Sequence, residues 1–169
     1  MQVPTLETER LRLRPWRGED LDAFAAFTAD PELTRFVGGV FTREDTWRRI
    51  AMLVGHWTLR GFGNWVIEEK ASSAFAGYSG LWQPEGWPEP EIMWGLTREV
   101  QGRGYATEAA GRARAYAYEE LGWRTAISLI APENRPSQRV AERLGAKPDG
   151  RFELRGAVAD VWRHPANVN

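Results

Sequence analysis

The 169-residue chain has no cysteine, only two histidines, and only two lysines, Lys70 and Lys147. Without cysteine there are no disulfides, no thiolate metal sites and no cysteine nucleophile. No window approaches the roughly 20 consecutive apolar residues that cross a bilayer, so no membrane partner is expected. The first ten residues contain no basic leader followed by an apolar stretch, and a cytoplasmic location is the expectation. A net charge of −1 is too small to draw in nucleic acid or an anionic surface. No metal is expected.

Hydrophobic residues make up 43% and charged residues 27% of the chain, the balance of a soluble globular protein. The length suits a single domain over 1–169. Arginine supplies nearly all the cations, and its forked guanidinium suits carboxylate and phosphate, although biased codon usage explains the same excess. Nine tryptophans imply a bulky aromatic core or an aromatic-lined pocket.

Hydrophobic periodicity predicts a mixed α+β order. Arg10 to Arg14 alternates as a half-buried strand. Glu19 to Thr28 and the segment capped by Thr42, with Ile50, Leu53, Val54 and Trp57 as its apolar stripe, read as helices. Trp65 to Glu68 and Phe75 to Leu81 read as a hairpin, Gln83 to Pro90 as a proline-rich surface loop, and Glu91 to Leu96 as a further strand. A helix with a small-residue face runs from about Gly104 to Leu121. Ala126 to Ile130 reads as a strand covered on both faces, Pro136 to Leu144 as a last helix, and Phe152 to Leu154 with Val158 to Trp162 as a closing hairpin about Gly156. His56 is expected in the core or at the surface, and His164 at the surface.

The segment most informative about chemistry is the passage from the Glu91 strand through Gly102-Arg103-Gly104 into the long helix. Glycines let the backbone approach an anion and take up positive φ, and the first N–H groups of a helix lack internal partners. The macrodipole adds about half a positive charge there, which makes a pyrophosphate site. Two rival phosphate binders fail. A P-loop needs Gly-Lys-Ser/Thr, and the chain has no Gly-Lys pair. The dinucleotide fingerprint needs Gly or Ala where Thr107 stands, and an acidic residue ending the next strand, which Ala126 to Ile130 lacks.

Gln101-x-x-Gly104-x-Ala106 resembles the acyl-CoA signature of the GNAT superfamily of acetyltransferases. The longer string Gly102-Arg-Gly-Tyr-Ala-Thr-Glu108 resembles the branch that contains the ribosomal-protein N-terminal acetyltransferases. Asn134-Arg-Pro-Ser137-Gln-Arg-Val-Ala-Glu-Arg-Leu-Gly145 is similar to that branch's second signature, and Leu6 to Arg14 to its first strand. These signatures span nearly the whole chain in order. The fold implied is a twisted, mostly antiparallel sheet of six to seven strands with one splayed parallel pair, flanked by about four helices.

The resemblance also implies acetyl-CoA as acyl donor and a primary amine as acceptor, either a protein N-terminus or a small molecule. Its branch admits a homodimer. Trp94 and Leu96 would bond pantetheine through the backbone, and the N–H groups of Gln101, Gly102, Arg103, Gly104, Tyr105 and Ala106 would hold the pyrophosphate. Asn134 would bond the pantetheine amide or simply cap its helix. Ser137 would hydrogen-bond the departing thiolate, in place of the tyrosine that other members use. Arg139 would meet the 3′-phosphate, with Arg143 a solvated charge. One departure stands out: Ala146 follows Gly145 where the family often has phenylalanine. Deprotonation at pH 7 costs about 1 kcal/mol for an α-amine and about 4.6 kcal/mol for lysine. Glu91 is the base candidate and Asp160 the second. The competing reading is a non-catalytic acyl-CoA sensor that keeps the cradle without the chemistry.

Overall fold

The computed structural model describes residues 2–154 and 156–167. In chain order come β1 (Leu6–Glu7), β2 (Leu11–Arg14), α1 (Leu21–Thr28), α2 (Pro31–Thr34), α3 (Arg43–Arg60), β3 (Asn64–Glu69), β4 (Phe75–Trp82) and β5 (Glu91–Leu96). Then follow α4 (Tyr105–Glu119), β6 (Ile127–Ile130), α5 (Arg135–Arg143), β7 (Lys147–Leu154) and β8 (Ala157–Arg163). The strands form one eight-stranded sheet in the order β1-β2-β3-β4-β5-β6-β8-β7. Every neighbouring pair is antiparallel except β5 and β6, which α4 joins as a parallel crossover.

The α+β class and the single parallel pair agree with the resemblance, and the described residues form eight strands and five α-helices. The additional elements are short. β1 is two residues long, and α2 is four residues held by Asp30, whose carboxylate accepts from the N–H groups of Glu32 and Leu33. Neither is long enough to show a period. β7 begins at Lys147, five residues before Phe152, because a register shift between Pro148 and Arg151 breaks its alternation.

Each face of the sheet carries its own core. On one side Ala109, Ala110, Ala113 and Ala117 of α4 pack on Leu11, Leu13, Trp65, Ile67 and Ile92. Alanines there let the helix backbone approach the strands closely. On the other side Phe24 and Phe27 of α1, with Ile50 and Leu53 of α3, cover Val66, Tyr78 and Trp82. Thr42 caps α3 by accepting from the Asp45 N–H at 3.2 Å, and Gly61, at φ 80°, ends it. A buried cluster ties β2, β3 and the start of α1 together: Arg14 donates to Asp20 at 2.7 Å and to Glu68 at 2.6 Å. No helix among the described residues is long and apolar enough to cross a membrane.

Candidate active site

The turn between β5 and α4 is built for close backbone approach. Gly102 and Gly104 stand at φ 78° and 81°, in the left-handed region that side chains disfavour. Gly104 is the N-cap of α4, with no side-chain cap. The N–H groups from Gly102 to Thr107 have no acceptor among the described residues. The Thr107 hydroxyl, one turn into the helix, is shielded from solvent and also has no partner. An orphaned hydroxyl beside six free amides fits an anionic ligand with several oxygens. Thr107 entered the sequence reading only as a residue that excludes a dinucleotide fingerprint.

Side chains hold the turn in place. Arg10 donates to the Arg103 carbonyl at 2.9 Å and pairs with Glu108 at 2.6 Å. Glu108 also accepts from the Thr8 hydroxyl at 2.6 Å, which fastens the β1–β2 hairpin to the first turn of α4. The phenol of Tyr105 donates to Glu69 at 2.6 Å, so its side chain is structural and only its N–H faces the turn. Gln101 reaches back to the Leu96 carbonyl at 3.2 Å. Arg10 was not among the candidates, and a lone exposed arginine 93 positions away gives no sequence signal.

Beyond the turn the sheet forks. β5 and β6 share a single register pair, Glu91 with Ile127, sealed by the Ile127 N–H on the Pro90 carbonyl at 3.0 Å. The next rung of a parallel ladder would join the Leu129 N–H to the Ile92 carbonyl. Side chains take both groups instead: Leu129 N–H donates to Glu91 Oε1 at 2.9 Å, and the Ser128 hydroxyl donates to the Ile92 carbonyl at 2.6 Å. Past this point the β6-facing backbone groups of Trp94 have no strand to pair with. The Trp94 ring packs against both the α4-side core and the cluster of Ile130, Ala141, Ala146 and Trp162. Trp94 and Trp162 thus supply the aromatic surface that Ala146 does not.

Glu91 is buried, 5% exposed, rather than facing solvent as a polar residue on a strand usually does. Its second oxygen accepts from the Trp87 indole at 2.7 Å, so the loop between β4 and β5 closes over it. Burial pushes its carboxyl up to about 7, and the Leu129 and Trp87 donors oppose that only in part. A carboxyl poised there can take a proton from an amine near neutral pH. Asp160 is held by Arg151 at 2.9 Å, on the strand pair at the far edge of the fork.

On the β6 side, Asn134 accepts from the Ser137 N–H at 3.2 Å and so caps α5 through its oxygen, leaving its amide nitrogen free to donate to a ligand. The Ser137 hydroxyl is half-buried and unbonded among the described residues. Arg139 and Arg143 are exposed.

His164 requires a correction: expected at the surface, it is 1% exposed. Its Nε2 meets the Ser128 hydroxyl at 2.9 Å and its Nδ1 the Arg114 guanidinium at 3.3 Å. Because Ser128 already donates to Ile92, His164 is the donor at Nε2 and the acceptor at Nδ1. Burial and the neighbouring Arg114 lower it to about 3, so it is neutral. His164 and Ser128 brace the fork, a role only the tertiary structure exposes.

The acetyltransferase (GNAT) domain model matches residues 10–147. A crystal structure of an acetyltransferase from Agrobacterium tumefaciens is 34% identical, with a TM-score of 0.88 over 97% of this chain and 95% of that one. The uncharacterized N-acetyltransferase p20 of Bacillus licheniformis is 28% identical over 95% of this chain and 94% of its own length. The ribosomal-protein-S5-alanine acetyltransferase of Vibrio fischeri, 18% identical, shares the fold with a TM-score of 0.78 and 98% of each chain covered. With a glycine turn of unpaired amides, a forked parallel pair and a family match over most of its length, the chain belongs to the GNAT family of acetyltransferases.

Proposed function

We propose that the enzyme transfers the acetyl group of acetyl-CoA to a primary amine, of a protein N-terminus or a small molecule, by direct attack in a ternary complex. The observation that carries this reading is the fork, which leaves the Trp94 backbone unpaired beside the buried carboxylate of Glu91. GNAT acetyltransferases use acetyl-CoA, and this chain's donor set suits it.

The N–H groups of Gly102 to Ala106, with the Thr107 hydroxyl, would hold the pyrophosphate, whereas the Gln101 N–H, expected among them, is taken by the Arg98 carbonyl at 3.3 Å; Arg10 adds positive charge at the same turn. The Trp94 and Leu96 backbone and the Asn134 amide would align the pantetheine arm, and Arg139 would meet the 3′-phosphate. When bound, acetyl-CoA supplies an activated carbonyl whose carbon–sulfur bond the attacking amine displaces. Backbone N–H groups of the fork would polarise that carbonyl. Glu91 would accept the proton that the amine sheds, and the Ser137 hydroxyl would hydrogen-bond the departing sulfur.

Incubation with acetyl-CoA and a panel of peptides and small amines, with free thiol as readout, tests this. Turnover that Glu91→Gln and Ser137→Ala both lower, at unchanged CoA affinity, is the expected result. Tight acetyl-CoA binding with no amine accepted would favour a sensor instead.

A further inference from the structure

On the α1–α3 side of the sheet, the face that Glu91 shares, two polar groups lie among aromatic rings without hydrogen-bond partners among the described residues. The Tyr78 ring packs edge-on to Phe24 and Phe27, at 5.9 and 5.7 Å. It lies flat over Gly95 of β5, where an added Cβ would come within 2.7 Å of the ring and 3.0 Å of its hydroxyl. The phenol therefore reaches across β5 toward the fork. Tyr78 is 4% exposed, and its hydroxyl makes no hydrogen bond among the described residues, so it is available to a ligand.

The second group is Arg49, on α3 just before the core residue Ile50. Its guanidinium sits 4.4 Å from the Phe41 ring centroid, and its Nε is shielded from solvent with no partner. The other arginines of α3 that point outward are paired: Arg43 with Asp22, Arg48 with Asp45 and Arg60 with Glu85. Arg49 is half-buried and has no carboxylate among the described residues. Its guanidinium is shielded only at Nε, so an anionic ligand would meet the terminal nitrogens without competition from a protein carboxylate. The Phe41 N–H donates to the carbonyl of Thr28, next to Phe27, and Glu91 stands in register with Trp82 on the sheet face that Tyr78 shares, so the three groups border one aromatic cluster.

A forked cation, a hydroxyl and a carboxylate base bordering one aromatic cluster match a ligand with an anion at one end and an amine at the other. We infer that the acceptor is a small primary amine carrying a carboxylate, of the amino-acid class, with Arg49 and Tyr78 on the carboxylate and Glu91 facing the amine. This deepens the acetyl-transfer reading and rests on it. A polypeptide N-terminus without an acidic side chain would leave Arg49 unpaired.

The test compares phenylalanine and leucine with phenylalaninamide, phenethylamine and short peptides, by thiol release and by calorimetric titration into the protein–CoA complex. Free amino acids are expected to exceed their amides and decarboxylated forms at least tenfold in kcat/KM. Loss of a charge-assisted contact in Arg49→Ala raises KM for the amino acid on the order of ten- to a hundredfold. The preference for phenylalanine over phenethylamine collapses, KM for acetyl-CoA holds, and Arg49→Lys recovers part of the preference. Arg49→Ala is checked by circular dichroism, and Arg49→Lys carries the argument if the alanine variant is unfolded. Equal use of amines with and without a carboxylate overturns this inference alone. Acidic-N-terminal peptides outrunning free amino acids overturns the small-molecule assignment. No amine accepted or bound overturns the transfer reading as well.

Discussion

Glu91 is a carboxyl whose protonated form the fold favours. Its value in the native state is about 7, against an ordinary value near 4.5. Between those values the native state holds a proton that the unfolded chain has released, so Glu91 makes stability fall as pH rises through that window. Glu91→Gln should remove that slope in pH-dependent denaturant titrations. It should also lower kcat about 10²- to 10⁴-fold and erase the rise of kcat/KM toward a plateau above pH 7. His164 works in the opposite sense. Lowered from 6.5 to about 3, it is neutral in the native state over a range where the unfolded chain takes up a proton. Stability is therefore lost as pH falls from about 6.5 toward 3, and His164→Asn should flatten that acid limb. Glu91 was legible in the sequence because it opens the strand before the glycine turn. His164 was not: a single histidine after the last strand carries no periodicity, and its partners Ser128 and Arg114 are 36 and 50 positions away.

The turn into α4 was the most legible element, because positive φ at Gly102 and Gly104 restricts which residues can stand there. Gly104→Val has room at the site, its nearest neighbour being Arg10 at 3.5 Å, but the left-handed φ of 81° opposes it. The variant should lose at least tenfold in CoA affinity by calorimetry with its far-ultraviolet circular dichroism intact. An unchanged affinity would remove the basis for a phosphate cradle here. The fork was legible only as two short strands separated by a helix. That Glu91 and Ser128 take over the missing ladder bonds depends on strand register, which local pattern does not specify. In the same way Glu108 stood in a recognisable string, but its task of fastening the β1–β2 hairpin appears only once residues 100 positions apart meet.

Across the whole molecule, the α+β class and the one parallel crossover followed from the order of periodic segments. The buried cluster of Arg14, Asp20 and Glu68 did not, since Arg14 reads as the last residue of an alternating strand. Removing Asp20 leaves a guanidinium buried with half its partners, and Asp20→Ala should cost about 3–5 kcal/mol in urea titration. A loss below about 1 kcal/mol would show that water replaces the carboxylate.

The single rung between Glu91 and Ile127 has one more consequence. The sheet is two leaves, β1 to β5 and β6 to β8, whose shared backbone ladder is one residue pair deep, with the chain passing between them through α4. A donor molecule lodged in the opening, as proposed, would touch both leaves, so its affinity would be felt as cohesion of the entire protein. At a hundred times its dissociation constant, CoA adds about 2.7 kcal/mol to the unfolding free energy, and the melting temperature should climb with concentration accordingly.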